Sequence, residues 1–176
     1  FGIHKPTSGA MTLKGAPYAP SGPRDALGQG VAMVHQHFSL APELTVIDNL
    51  LLGRSLGRVA RAEAAERIVE LAQSYGLRLE PFRTVRDLAI GERQRIEIVK
   101  CLMREPRLLI LDEPTAVLLP EEIAALIETC RRVADGGCAV VLVTHKLAEI
   151  KSAADRVSVL RSGSIVATSD NPAGEI

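Results

Sequence analysis

The sequence predicts an α/β fold: a largely parallel sheet flanked by helices. Three observations carry that expectation. Apolar runs of strand length alternate with longer segments of helical periodicity, which is the pattern of βαβ units. The run "AVVLV" at residues 139–143 is continuously apolar, as expected of a strand covered on both faces. Three runs also end in groups able to do chemistry. Gln36 follows "VAMVH", Asp112 and Glu113 follow "LLIL", and His145 follows "VLVT". An acid pair at one strand end is usually just solvated. Ligands of open α/β sheets bind beyond the carboxyl ends of the strands, however, and three such ends in one sheet are much harder to reach by accident.

The bulk properties narrow the field. A chain of 176 residues suits one domain with a real core. Hydrophobic residues at 47% and charged residues at 24% give the balance of a folded chain, not a disordered one. A formal net charge of zero provides no global field for nucleic acid or an anionic membrane. No apolar run approaches the roughly 20 residues that span a bilayer, and no signal-peptide pattern opens the sequence. Cys101, Cys130 and Cys138 lack metal-ligand spacing and read as reduced thiols of a cytoplasmic protein. Aromatic residues at 3%, with no Trp, leave little for a base-stacking surface.

The elements follow in order. "SGAMTLKG" at residues 8–15 alternates around Met11 and Leu13 and predicts a short strand with a turn. Residues 16–23 read as loop because of their three prolines. Residues 30–36 form a compact apolar strand. Residues 44–53 read as a helix with Thr45 able to cap it and Asp48 in its first turn. Residues 61–76 are an amphipathic helix, with Ala65, Ile68, Leu71, Ala72 and Tyr75 at helical spacing and Gly76 as the stop. The spacing of Ile96, Val99, Cys101 and Met103 predicts a helix over 92–104, ended before Pro106. A strand at 108–111, a helix at 120–134, a stop at Gly136 and Gly137 and a strand at 139–144 complete the alternation. A short helix around 147–152 precedes two strands, 156–161 and 164–168, joined at Ser162 and Gly163.

Taken in order, four stretches resemble the ATP-binding subunits of ABC transporters. "VHQHF" is similar to the Q-loop, "LAIGERQRIEI" to the signature segment, "LLILDEPTAVL" to the Walker B strand and D-loop, and "VTHKL" to the switch-histidine segment. The likeness runs over nearly the whole chain. It implies a P-loop NTPase-like sheet with an inserted helical subdomain and a C-terminal strand pair. Residues 1–176 would form one partial ABC ATPase domain, with its catalytic subdomain in 1–36 and 89–176 and its helical subdomain in 37–88. The resemblance also implies ATP and Mg²⁺. Asp112 would hold the metal as a hard oxygen ligand, and Gln36 would meet the metal or the water. Glu113 would orient and deprotonate the attacking water, and His145 would hydrogen-bond the γ-phosphate. Leu88, Ala89, Gly91 and Gln94, in the signature, would meet nucleotide held by a partner domain. His4, His35 and His37 receive no such role.

The implied partners are a second ABC ATPase domain in a head-to-tail pair, membrane permease subunits and, indirectly, a solute-binding protein, with no nucleic acid. The implied location is the cytoplasmic face of the cell membrane. Exposed apolar residues of the helical subdomain, Phe38 and Leu40 among them, would form the permease-docking surface, with core packing as the alternative. "HQHF", "EIVK", "DEPTAVL" and "THKLAEI" most resemble the first halves of tandem ATPases that serve simple-sugar and nucleoside importers. The implied function is therefore the motor subunit of such an importer. The alternatives are a non-hydrolysing or degenerate ABC-type interaction module, or a non-transport ABC ATPase.

Two features depart from the family pattern. The phosphate loop G-x-x-x-x-G-K-[ST] is absent from the 176 residues, so a polypeptide of these residues alone is expected to be inactive. The signature, usually opening L-S-x-G, reads Leu88-Ala89-Ile90-Gly91, and Leu119 stands where many relatives carry Asp. Both substitutions would fall on the face serving the partner's nucleotide. The groups serving the domain's own nucleotide are intact.

Overall fold

The computed structural model describes residues 1–53, 60–146, 149, 151 and 153–170. Its centre is a parallel sheet of three strands in the order β3 (Val31–Val34), β4 (Leu108–Asp112), β5 (Ala139–Val143). Val34 pairs with Leu111, and Leu111 with Leu142, so the carboxyl ends of all three strands share one edge. A two-stranded antiparallel ribbon lies on each side in sequence. β1 (Thr12–Leu13) pairs with β2 (Ala16–Pro17), and β6 (Val157–Arg161) pairs with β7 (Ser164–Ser169). Two α/β crossovers build the rest: α2 (Val46–Leu51), α3 (Arg61–Ser74) and α4 (Ile90–Leu102) lie between β3 and β4, and α5 (Pro120–Asp135) lies between β4 and β5.

The first ribbon is shorter than the alternation predicts, and part of the expected loop belongs to it. Lys14 at φ 50° and Gly15 at φ 78° make a two-residue turn, which closes the hairpin immediately and sends Ala16 and Pro17 back along Thr12 and Leu13. Pro17, with no N–H to donate, sits at the end of the pairing. The same stretch starts a helix that was not foreseen, α1 (Pro23–Gly28). Its signals are present in the sequence: Pro23 at the first helical position, Asp25 in the first turn, and a positive-φ Gly30 just beyond.

α2 starts as expected. The Thr45 hydroxyl accepts from the Asp48 N–H at 3.3 Å, and the Thr45 hydrogen bond, joined by the Arg61 guanidinium, holds the Asp48 carboxyl below its ordinary range. The chain leading into α2 is stitched to the chain leading into α4. Val46 N–H donates to Arg83 carbonyl, Ile47 N–H to Pro81, and Val85 N–H to Leu44. α3 buries Ala64, Ala65, Ile68 and Ala72 on one face, and Gly76 at φ 75° ends it. α4 begins at Ile90, two residues earlier than periodicity predicts. It is buried nearly all round because it packs on β3, α2 and α3 at once. One continuous apolar core runs from Val34, Leu109 and Leu111 of the sheet through Ile96 and Val99 of α4 to Ile47, Leu50 and Ile68.

Two expectations are corrected. Covering of "AVVLV" on both faces is not observed. β5 alternates, Val140 and Leu142 packing on the core while Val141 and Val143 are each 46% exposed, because α5 lies on one face only. Phe38 and Leu40 are half-buried, and Leu40 packs on the core. Among the described residues between 37 and 88, the large apolar side chains that reach solvent are Leu52 and Phe82, the latter under the Arg61 guanidinium. The helix expected around 147–152 falls largely on residues outside the described ones. Among the described residues, no helix is long and apolar enough to cross a membrane.

Candidate functional site

The site is assembled by strand register. β4 pairs with β5 one residue further than with β3, as far as Asp112 opposite Val143. The Glu113 N–H then extends the ladder by donating to the Val143 carbonyl at 2.9 Å. At that point the chain leaves the sheet: Glu113 has φ 45°, a left-handed conformation uncommon outside glycine. The turn brings the Glu113 carboxylate to His145, with Nδ1 3.4 Å from Oε1. The imidazole is 70% exposed and the carboxylate 36%, so both remain open to an incoming molecule. Gln36, exposed, lies two residues past β3 on the same edge, since Val34 is level with Leu111.

The segment after Gln36 is held by α4. Ser39 N–H donates to Glu97 Oε1 at 2.6 Å, and Lys100 Nζ donates to the Ser39 carbonyl at 3.3 Å. Glu97, only 8% exposed, thus has a main-chain partner. Sequence reading attached no role to this pair, although the i,i+3 spacing within "EIVK" places both on one helix face.

The helix starts at α4 and α5 share a defect. Ala89 is the N-cap of α4, and its N–H donates to Glu92 Oε2 at 2.8 Å. That is one half of a capping box. The other half needs a side-chain oxygen that alanine lacks. At α5, Leu119 N–H donates to Glu122 Oε2 at 3.0 Å, and again the cap side chain has nothing to return. The two starts meet through Glu122, whose carboxylate covers Gly91 so closely that any Cβ there would collide with it. Ala89 and Ile90 face solvent. Leu88 and Gln94 are buried behind them at 6% and 5% exposure. Gln94 lines a cavity of about 150 Å³ between α4 and α5, and its Nε2 is without a hydrogen-bond partner among the described residues. The structure thus brings Glu113 to His145, and brings Gly91 to the start of α5.

Around His145 a further set of groups appears that sequence reading missed. Lys146 Nζ donates to the Thr115 carbonyl at 2.7 Å, and Thr144 Oγ1 donates to Glu149 Oε2 at 2.7 Å. The signal was the Lys146 and Glu149 spacing within "THKLAEI", which looks like an exposed helical ion pair and is in fact 4% exposed at Glu149.

Comparison with known proteins bears on the whole arrangement. The family described as ABC transporter matches residues 1–116. A nucleoside import ATP-binding protein, NupA of Lactococcus lactis, is 39% identical over 170 residues, covering 95% of this chain and 34% of that protein. A ribose import ATP-binding protein, RbsA 3 of Rubrobacter xylanophilus, is 44% identical over 169 residues, covering 94% of this chain and 34% of its own length. The chain therefore spans about a third of the length of the relatives it matches. Among solved structures, cbiO1 from Clostridium perfringens, described as part of an ABC transporter complex, superimposes with a TM-score of 0.82. It is 23% identical, with 98% of this chain and 70% of that one covered, a likeness of fold. The family match covers well over half of the 176 residues, and the chain belongs to the ABC transporter family.

Proposed function

We propose that this chain supplies hydrolytic groups to the ATP-driven motor of an importer, and that the imported solute is a sugar or nucleoside. The observation that carries the reading is the approach of Glu113 to His145, 3.4 Å apart at the carboxyl ends of adjacent parallel strands, with Asp112 beside them. The solute class follows the import proteins named above, which match nearly the full chain at 39–44% identity.

Each residue has a role within that reading. Glu113 takes the proton of the water attacking the γ-phosphate of ATP, a general-base step made effective by a fixed backbone. His145, held beside Glu113 and open to solvent, donates a hydrogen bond to the γ-phosphate. Asp112 and Gln36 offer hard oxygen donors on the same edge. They suit Mg²⁺, which keeps most of its water and phosphate ligands and needs only one or two protein oxygens. When bound, the metal neutralises charge on the transferring phosphate. Residues 37–88 act as the helical subdomain and receive the permease, with Leu52 and Phe82 in the contact. Residues 1–36 and 89–176 act as the catalytic subdomain. The work is done at the cytoplasmic face of the membrane, where the domain pairs head-to-tail with a second ABC ATPase domain.

In that pair the α4 start faces the partner's nucleotide. Ala89 and the main chain at Gly91 make the contact, and Leu88 and Gln94 support it from behind. Lacking the serine hydroxyl, this start completes the partner's site poorly, so the two sites are unequal. The one using Glu113 turns over, and the one using Ala89 mainly holds nucleotide.

The test uses the full-length protein assembled with its permease. Glu113→Gln should leave ATP binding intact and lower hydrolysis by roughly 10²–10⁴-fold. Asp112→Asn should weaken the dependence of turnover on Mg²⁺. Wild-type turnover in Glu113→Gln, or failure of the protein to co-purify with a permease, overturns the reading.

A further inference from the structure

We propose that Lys146 and the buried carboxylate of Glu149 form a clamp that positions Glu113 against His145; the proposal rests on the hydrolytic reading above. The two loops that carry Glu113 and His145 are cross-linked at two points. The first is the bond from Glu113 N–H to the Val143 carbonyl, at 2.9 Å. The second is the bond from Lys146 Nζ to the Thr115 carbonyl, at 2.7 Å. Glu113 lies at and between these points on its loop, and His145 lies between them on the other. One bond alone is a pivot, and two fix the separation and the angle.

The second bond is not a casual surface contact. Thr115 is 1% exposed, so the acceptor is a buried carbonyl of the acid's own turn. Glu149 is 4% exposed, and a carboxylate is carried into such a place only with strong partners. Its Oε1 stands 3.6 Å from Lys146 Nζ, and its Oε2 accepts from Thr144 Oγ1 at 2.7 Å. Thr144 Oγ1 in turn accepts from the Lys146 N–H at 3.1 Å. The loop around His145 is thereby closed on itself, and the ammonium is aimed at Thr115. A lysine placed only for solubility would extend into water. This one is 34% exposed and spends its donor on the main chain two residues past the acid. Since Glu113 is held in a left-handed conformation, its carboxylate has no ladder beyond it to fix its direction. The clamp supplies that direction.

Lys146 and Glu149 are positioning residues, because they act through Glu113 and His145. The experiment uses the full-length protein with its partners. Lys146→Met, of similar length but uncharged, should lower kcat by about 10–100-fold, the range for a misplaced catalytic group, with KM for ATP changed less than twofold. Lys146→Arg, which can still reach the carbonyl, should restore most of the loss. In the Glu113→Gln background Lys146→Met should cost nothing further, because two changes acting through one group are not additive.

A second readout needs no turnover. Hydrogen exchange at the Glu113 amide should speed up at least tenfold in Lys146→Met, while the amides of β3 stay as they were. Thr144→Val, which loosens Glu149 and frees the Lys146 N–H but keeps the ammonium, should shift the same amide in the same direction by less. Multiplicative losses with Glu113→Gln, parallel acceleration of the β3 amides, or no change at the Glu113 amide would each overturn the clamp. Failure of Glu113→Gln to affect turnover would instead overturn the hydrolytic reading, and the exchange result would still decide whether the two loops are clamped.

Discussion

Ala89 lacks one oxygen, and the loss should be felt twice. In the isolated domain the missing hydroxyl leaves the capping box of α4 half made, with Glu92 holding the Ala89 N–H and nothing returned from residue 89. Ala89→Ser should therefore raise stability by about 1 kcal/mol, seen as a shift in the urea midpoint. In the assembled pair the same hydroxyl should also reach a phosphate, raising nucleotide occupancy or hydrolysis at the second site alone. The effects separate by placing Glu113→Gln beneath the substitution, so that only the second site can fire. A gain in stability with no change at that site would confine Ala89 to the cap. The sequence made the absent oxygen legible. Its local partner was not, because Glu92 at the third helical position becomes meaningful only once the helix is known to start at Ile90.

At the scale of elements, legibility followed the strength of local signals. Thr45, Gly76, Pro120 and Gly137 mark helix ends where the structure has them, each being a residue whose chemistry or φ is tied to that position. α1 was missed because six residues carry too little periodicity to stand out. β5 was over-read because an apolar strand looks the same whether one or two faces are covered. Side-chain to main-chain hydrogen bonds were the least visible. Asn49, fully buried in α2, accepts from the Ala41 N–H at 2.7 Å and donates to the carbonyls of Ala41 and Thr45, each at 3.0 Å. It replaces, for that loop, the ladder partners that a strand would have. Asn49→Ala should cost about 1–3 kcal/mol, because it removes the partners of the part-buried Ala41 N–H and carbonyl together. Thermal or urea unfolding of the variant measures this, and a loss below 1 kcal/mol would show that water fills the gap.

For the molecule as a whole, the buried thiols set an alkaline limit. Burial pushes Cys101 and Cys130 up to about 12. Below the ordinary thiol value of about 8.5 both folded and unfolded chains keep these protons, and stability is unaffected. Above it the unfolded chain sheds them first, so stability falls with rising pH until the folded groups ionise as well. Each pH unit in that window costs about 1.4 kcal/mol per thiol. The urea midpoint should fall between pH 8.5 and 10.5, and the double substitution Cys101→Ala with Cys130→Ala should flatten that fall. An unchanged slope would assign the alkaline loss to other groups. Stability and turnover meet elsewhere in the chain. A glutamate at φ 45° occupies a backbone state in which glycine is at ease, so Glu113→Gly relaxes about 1 kcal/mol of strain while deleting the acid. Directed evolution rewarded for heat tolerance alone would drift toward a sturdier and idle protein at this position, and only a screen that also counts turnover would hold the glutamate in place.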